Sequence, residues 1–215
     1  MNPAKIKQEL LRLNHALIEA DLIIESNYPK ITRGPSGSSY LSCGVYNFNE
    51  SDYSSLDEYL MFLRDRSFFV VFKDGALLQI SYKFRRSVLI GHRLCFYPCP
   101  VEFDFEDLEE YALEEIVELS ASPYTLRLVS PIRFDFDPEQ ERDDHPSSHL
   151  HLSCRSCRIP VQIPLSIGHF LNFVLINFYP EDWDSIEILR NWPCTNLQST
   201  SVHQRNLLFI SCSRL

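Results

Sequence analysis

The sequence has no long apolar run and no excess of positive charge, and these two absences exclude broad classes of function. No stretch approaches the roughly 20 consecutive apolar residues that a membrane-spanning helix needs, so we expect no membrane association. The formal net charge is −9 and the isoelectric point lies near 5.2. A protein that tracks a phosphate backbone needs a basic surface, so direct nucleic-acid binding by this chain alone is not expected.

The beginning of the chain also lacks the basic segment and apolar stretch that are typical of a secretory signal peptide. Seven cysteines, an odd number in a chain without an export signal, favour reduced thiols over a disulfide framework. These two features predict a cytoplasmic protein. The 45% of hydrophobic and 23% of charged residues are typical of an ordinary folded protein.

The spacing of the apolar residues predicts an α+β fold. We expect an antiparallel sheet with several packed helices in a single domain, together with a long N-terminal helix. The predicted division places the N-terminal helix at residues 1–30 and the α+β domain at residues 31–215. No internal repeat or long low-complexity linker interrupts the second range.

The N-terminal helix is predicted to begin with Asn2 as its cap and Pro3 in its first turn. Apolar residues then recur at alternating steps of four and three through Leu10 and Leu17 to Ile24, which is typical of a heptad seam, and a second apolar stripe runs beside it. The helix packs either on its own domain or on another protein. Because surplus apolar surface often marks an interface, we expect Leu10 and Leu17 to contact a partner.

A second amphipathic helix is predicted from Phe105 to Leu119. One of its faces is apolar, and the other carries glutamates that include Glu110 and Glu114. Outward acidic side chains suit the steering of a basic partner surface. We therefore predict that Glu110 and Glu114 also contact a partner.

The densest group of chemically useful side chains lies between Ser130 and Pro164. Strict alternation of apolar and polar residues predicts extended segments there, and their polar members would share one face of a sheet if the segments pair. The charged residues and histidines that form this motif are Arg133, Asp135, Asp137, His145, His149 and Arg158.

Zinc is one hypothesis for this region. His149 and His151, followed by Cys154 and Cys157, offer four suitable ligands. A tetrahedral site is difficult to close with so little chain, because structural sites usually take two ligand pairs from separated segments. A single Cys-x-x-Cys is also a weak signal. The sequence therefore favours free cysteines and strand histidines, with no bound cofactor, and zinc remains the minority hypothesis.

Metal-dependent hydrolysis is the second hypothesis. Asp135 and Asp137, with His145 or His149, would hold a divalent ion and an activated water. A nuclease usually adds a lysine or glutamate, whereas the adjacent motif offers only arginines. Arginines and aspartates on neighbouring strands also form purely structural ion pairs, since charge clusters mark functional sites only statistically. The sequence favours the structural interpretation and a non-catalytic protein.

Four short motifs resemble a bacterial family that is catalogued as domain of unknown function 2290. The motifs are Arg133 to Pro138, His145 to Leu150, Arg158 to Val161 and Phe170 to Pro180. The resemblance covers about the last two thirds of the chain. It implies a non-catalytic accessory or sensor subunit of a multi-protein anti-phage defence system, which binds a large ATPase of the ABC or SMC type and works beside a separate effector protein. Cys154 and Cys157 are not part of the family's pattern, which argues against a shared metal site.

Overall fold

A computed structural model describes residues 2–44, 56–152 and 156–193, which form helices around one antiparallel sheet. Its strands in chain order are β1 (Ile23–Ser26), β2 (Pro29–Arg33), β3 (Ser38–Cys43), β4 (Val70–Phe72), β5 (Leu77–Arg85), β6 (Val88–Tyr97), β7 (Ile132–Phe136), β8 (Ser148–Leu152) and β9 (Ile159–Pro160). Its α-helices are α1 (Pro3–Glu19), α2 (Leu56–Arg64), α3 (Leu113–Ser120), α4 (Ile167–Phe178), α5 (Pro180–Ser185) and α6 (Glu187–Arg190). The predicted α+β class, with an antiparallel sheet and an N-terminal helix, is confirmed.

The order of strands across the sheet is β1, β4, β5, β6, β7, β8 and β9, and each neighbouring pair is antiparallel. The long strand β5 also pairs with β3 along its second half, and β3 pairs with β2. Strands β5 to β8 thus form a meander, in which segments that are distant in sequence lie side by side.

Alternation along the strands divides the apolar residues between two cores, one on each face of the sheet. On β6, Leu94 and Phe96 belong to the larger core, which contains the buried residues of α1 and α4. Cys95 and Tyr97 belong to the smaller core, which contains buried apolar residues of α2 and α3. The smaller core covers only part of its face, and the polar motif lies beside it.

The start of α1 agrees with the predicted cap, because the Asn2 side chain accepts a hydrogen bond from the backbone N–H of Ala4 at 2.9 Å. The heptad pattern overestimates the length of the helix. Asp21 adopts a left-handed conformation with φ of 56°, and the backbone N–H of Leu22 bonds to the carbonyl of Leu17, which closes the helix end. Ile24 therefore lies in β1 and not on the helical seam.

The prediction that Leu10 and Leu17 contact a partner is wrong. Both side chains are 0% exposed and belong to the larger core, together with residues of the sheet. The second apolar stripe is the exposed one, with Leu11 at 37% and Ile18 at 56%. The range 1–30 that we assigned to the helix also contains β1 and the start of β2.

The predicted helix from Phe105 to Leu119 is divided into a short 3-10 helix, Phe105–Glu109, and α3. The backbone is extended at Ala112, where the two helices are separated. Tyr111 therefore lies outside both helices and is 47% exposed, and Leu119, near the end of α3, is 78% exposed.

The two glutamates predicted to contact a partner have different environments. Glu114 forms an ion pair with Arg64 of α2 at 2.6 Å, and Glu118 contacts the same guanidinium. The carboxylate of Glu114 thus has a partner within the molecule, whereas Glu110 is exposed.

No helix in the described part of the chain combines the length and the apolar character that a membrane crossing requires.

Replacement of Leu10 by alanine is expected to destabilise the whole domain. The change removes a fully buried side chain and leaves a cavity between α1 and the sheet, which costs about 2–5 kcal/mol of unfolding free energy. Leu11→Ala on the same helix is the control, because Leu11 is 37% exposed. Urea denaturation of both variants measures the difference. Equal stabilities would show that α1 does not pack on the sheet.

Candidate functional site

Two cross-strand rows of side chains bring the predicted motif together. In one row Arg93 of β6, Asp135 of β7 and His149 of β8 are neighbours. In the next row Arg133 of β7 lies beside His151 of β8. Both rows lie on the face of the sheet that carries the smaller core, because their positions alternate in phase with its residues on β6.

Asp135 is the centre of this group. The residue is only 9% exposed, and its carboxylate is held by two arginines. Arg93 Nε lies 3.2 Å from Oδ1, and Arg133 Nε lies 3.0 Å from Oδ2. Burial opposes ionisation of the carboxyl group, but the charges of Arg93 and Arg133 outweigh it and lower the pKa of Asp135 below its ordinary value. Asp135 is therefore ionised at neutral pH.

His149 and His151 form a buried pair next to Asp135. Their Nε2 atoms are 2.9 Å apart, and His151 Nε2 lies 3.5 Å from Asp135 Oδ2. Burial lowers the pKa of His149 to about 4 and that of His151 to about 3, so both rings are neutral at pH 7.

The tautomer of His149 follows from its second hydrogen bond. Its Nδ1 lies 2.7 Å from the carbonyl oxygen of Pro146, and a carbonyl oxygen only accepts, so Nδ1 carries the hydrogen. The Nε2 atom of His149 therefore presents a lone pair to His151. In return His151 donates from Nε2, which leaves its buried Nδ1 without a hydrogen-bond partner.

The other two members of the predicted catalytic set are placed differently. The ring of His145 packs against His149 with 4.7 Å between the centroids. Asp137 accepts hydrogen bonds from the backbone N–H of Glu139 at 3.2 Å and from Gln140 Nε2 at 2.9 Å. Since its oxygens cap the short 3-10 helix that follows, Asp137 does not join Asp135 in a two-carboxylate site.

A cavity of 350 Å³ opens above these side chains, within the roughly 300–1,000 Å³ that ligand pockets occupy. The cationic side chains that line it are Lys83, Arg93, Arg133 and Arg158, and the carboxylates are those of Asp135 and Asp137. The cationic side chains thus outnumber the carboxylates, even with the neighbouring histidines neutral. The cavity therefore suits an anionic ligand.

The sequence analysis did not assign to this site several polar residues that line the cavity, among them Tyr40, Lys83 and Arg93. These three belong to β3, β5 and β6, outside the motif-rich segment. The available signal was Arg93, which alternates in phase with Cys95 and Tyr97 on a mostly apolar strand. That signal does not identify Asp135 as the partner of Arg93, because the pairing of β6 with β7 depends on register across a long connection.

The structure places Asp135, and not a cysteine, beside the two histidines of the zinc hypothesis. His149 and His151 lie together as the strand pattern predicted, but Cys154 falls outside the described residues. Cys157 is a half-buried free thiol that does not join the histidines. Within the described part of the chain, the residue that completes a possible metal-binding group with them is Asp135.

Replacement of Arg133 by alanine is expected to lower the melting temperature. Arg133 is 6% exposed, and loss of one partner from a buried ion pair costs about 3–5 kcal/mol, because the remaining charge is left poorly compensated. Arg142→Ala is the control, since the side chain of Arg142 is 69% exposed and lies 3.9 Å from Asp144. Calorimetry of the two variants should show a large decrease only for Arg133→Ala, and an unchanged melting temperature would contradict the structural role of this pair.

Comparison with known proteins gives a family but no activity. A family described as "Uncharacterized conserved protein (DUF2290)" matches residues 22–210. No curated protein and no solved structure matches the chain. The matched range contains every described strand and the whole polar motif, whereas α1 precedes it. The chain belongs to the DUF2290 family of uncharacterized conserved proteins.

Proposed function

We propose that this chain is a cytoplasmic, non-catalytic accessory or sensor subunit of a multi-protein bacterial anti-phage defence system. In this proposal it binds a large ATPase of the ABC or SMC type and works beside a separate effector protein. The family resemblance suggests the system. The observation that carries the binding role is an exposed apolar segment, defined here as residues 119–128.

The apolar segment begins with the last two residues of α3 and has no regular secondary structure over the rest of its length. Its exposed apolar members are Leu119, Tyr124, Leu126 and Leu128, with Tyr124 at 97% and Leu128 at 106% exposure. The backbone is nevertheless anchored, because the N–H of Arg127 donates to the carbonyl of Pro100 at 2.8 Å. Four large exposed apolar side chains within ten residues are costly in water, and exposed apolar surface of this kind often marks a binding site.

The apolar segment replaces α1 as the proposed partner surface. Glu110 precedes it and is exposed, so its predicted contribution to binding is retained. Glu114 contributes less, because its carboxylate already pairs with Arg64. The proposed contacts to the partner are therefore apolar ones from the segment and an acidic one from Glu110, and both kinds occur at protein interfaces.

The sensor role is supported by the cationic cavity. Lys83 and Arg158 line it together with the two arginines that hold Asp135, so a phosphate-bearing ligand would find several charge-assisted donors. Both carboxylates near the cavity already have hydrogen-bonding partners. Asp135 is held by arginines and is a weak base, and Asp137 caps a helix. This arrangement favours binding over catalysis.

A metal-dependent hydrolase or nuclease that uses Asp135, Asp137, His145 and His149 is the second candidate. The observation that favours it is Lys83, which supplies in the same cavity the lysine that the motif alone lacks. Turnover of DNA, RNA or nucleotides by the isolated protein with Mg²⁺, Mn²⁺ or Zn²⁺, and its loss in His149→Ala, would make this candidate the function.

If the chain is an accessory subunit, we expect the apolar segment to bind the ATPase. A tagged wild-type chain, expressed with the ATPase of its own locus, should co-purify with it, and Tyr124→Ser combined with Leu128→Ser should lose it. Stability should change little, because both side chains are exposed and surface substitutions usually stay within about 0.5 kcal/mol. The matched control is Ile188→Ser, since Ile188 on α6 is 54% exposed.

Two outcomes would contradict the proposal. If the folded wild-type chain does not co-purify with the ATPase, the proposed accessory role is wrong. Undiminished co-purification of the double variant would show that the apolar segment is not the partner surface.

A further inference from the structure

The histidine pair and Asp135 have the geometry of a metal site. One candidate ligand atom from each of the three residues lies within 4.8 Å of the others. An ion with ligands about 2.1 Å away in tetrahedral geometry separates neighbouring ligand atoms by about 3.4 Å. The distance from His151 Nε2 to Asp135 Oδ2 is 3.5 Å, and the Nε2 atoms of the two histidines are 2.9 Å apart. To admit the ion, the two Nε2 atoms must move apart by about half an ångström, and the hydrogen of His151 must move from Nε2 to Nδ1, the buried nitrogen that has no hydrogen-bond partner in the metal-free protein.

The second hydrogen bond of His149 supports the same conclusion. Metal-binding histidines almost always donate the other ring N–H to a backbone carbonyl or a carboxylate, which fixes the tautomer and directs the lone pair. His149 donates from Nδ1 to Pro146 at 2.7 Å and directs its Nε2 lone pair toward His151. His149 is 1% and His151 is 4% exposed, so the rings have little freedom to turn away.

We propose that His149, His151 and Asp135 bind a divalent first-row transition ion such as Zn²⁺, with a coordination position open to the cavity. Imidazole nitrogens suit zinc, iron and cobalt, whereas Mg²⁺ prefers oxygen ligands. The site uses no thiolate.

The two arginines limit the affinity of this site. Arg93 and Arg133 orient the Asp135 carboxylate, as outer partners of a metal ligand commonly do. Their positive charges also repel a cation and withdraw charge from the carboxylate. We therefore expect weaker affinity than that of a closed structural zinc site.

The cavity that the ligand residues line also contains Lys83 and Arg158. A ligand anion that entered would contact the metal and one or more of Lys83 and Arg158. This inference goes beyond the accessory role and does not depend on it, because the three ligands belong to this chain alone. Failure to bind an ATPase would leave the metal site intact, and absence of metal would leave the apolar segment intact.

Titration of the chelator-treated full-length protein tests the proposal. Isothermal calorimetry with Zn²⁺ should give one ion per chain, and Mg²⁺ should give no heat of binding. His149→Gln and Asp135→Asn should each lose stoichiometric binding. Two controls should keep it: His145→Gln, which alters a histidine of the same cavity, and Cys154→Ser combined with Cys157→Ser, which removes the ligands of the earlier zinc hypothesis.

Cobalt provides a readout that does not depend on the stability of a variant. Co²⁺ bound to the wild-type protein should show visible d–d absorption without the near-ultraviolet charge-transfer band of a cobalt–thiolate bond. That band, or loss of zinc in the cysteine double variant, would assign the metal to thiols and overturn the proposal. Absence of stoichiometric Zn²⁺ binding by the wild-type protein, or retained binding in both His149→Gln and Asp135→Asn, would overturn it equally.

Discussion

Asp135 has a buried carboxylate on one face of the sheet. A buried charge is tolerated only when cations and hydrogen-bond donors replace the water that it has lost. The strand register supplies them. Arg93 comes from β6 and Arg133 from β7 itself, and each contacts a different oxygen of Asp135. The meander must therefore keep its pairing for the carboxylate to remain compensated, which couples the stability of the sheet to the integrity of the polar group.

The same meander carries both the smaller core and the cavity on one face of the sheet. Toward one end of β6, Cys95 and Tyr97 are buried in the smaller core with residues of α2 and α3. Toward the other end, Gly91 and Arg93 line the cavity. A ligand group placed on paired strands has little freedom to move, which is the rigid support that binding sites require. The apolar segment lies apart from this scaffold in an irregular connection, where exposed side chains are free to meet a partner.

Local periodicity predicted much of this structure, and non-local pairing determined the rest. The alternation of Phe134 and Phe136 with Asp135 assigned the faces of β7 correctly, since side-chain direction in a strand has a period of two residues. Leu10 was correctly placed on the apolar face of α1. We expected that face to contact another protein, whereas it packs on the sheet, because the pattern of a helix does not show which surface packs against it. Arg93 could not be assigned to the site without the register between β6 and β7.

At the centre of the site, neutral histidines in a fixed tautomer lie beside an ionised, arginine-bound carboxylate. Nitrogen-15 NMR of the histidine side chains in the metal-free protein at neutral pH measures both the protonation and the tautomer. We expect a neutral His149 with hydrogen on Nδ1 and a bare Nε2, and a neutral His151 with hydrogen on Nε2. An imidazolium at either position, or rapid averaging between the tautomers of His149, would contradict it.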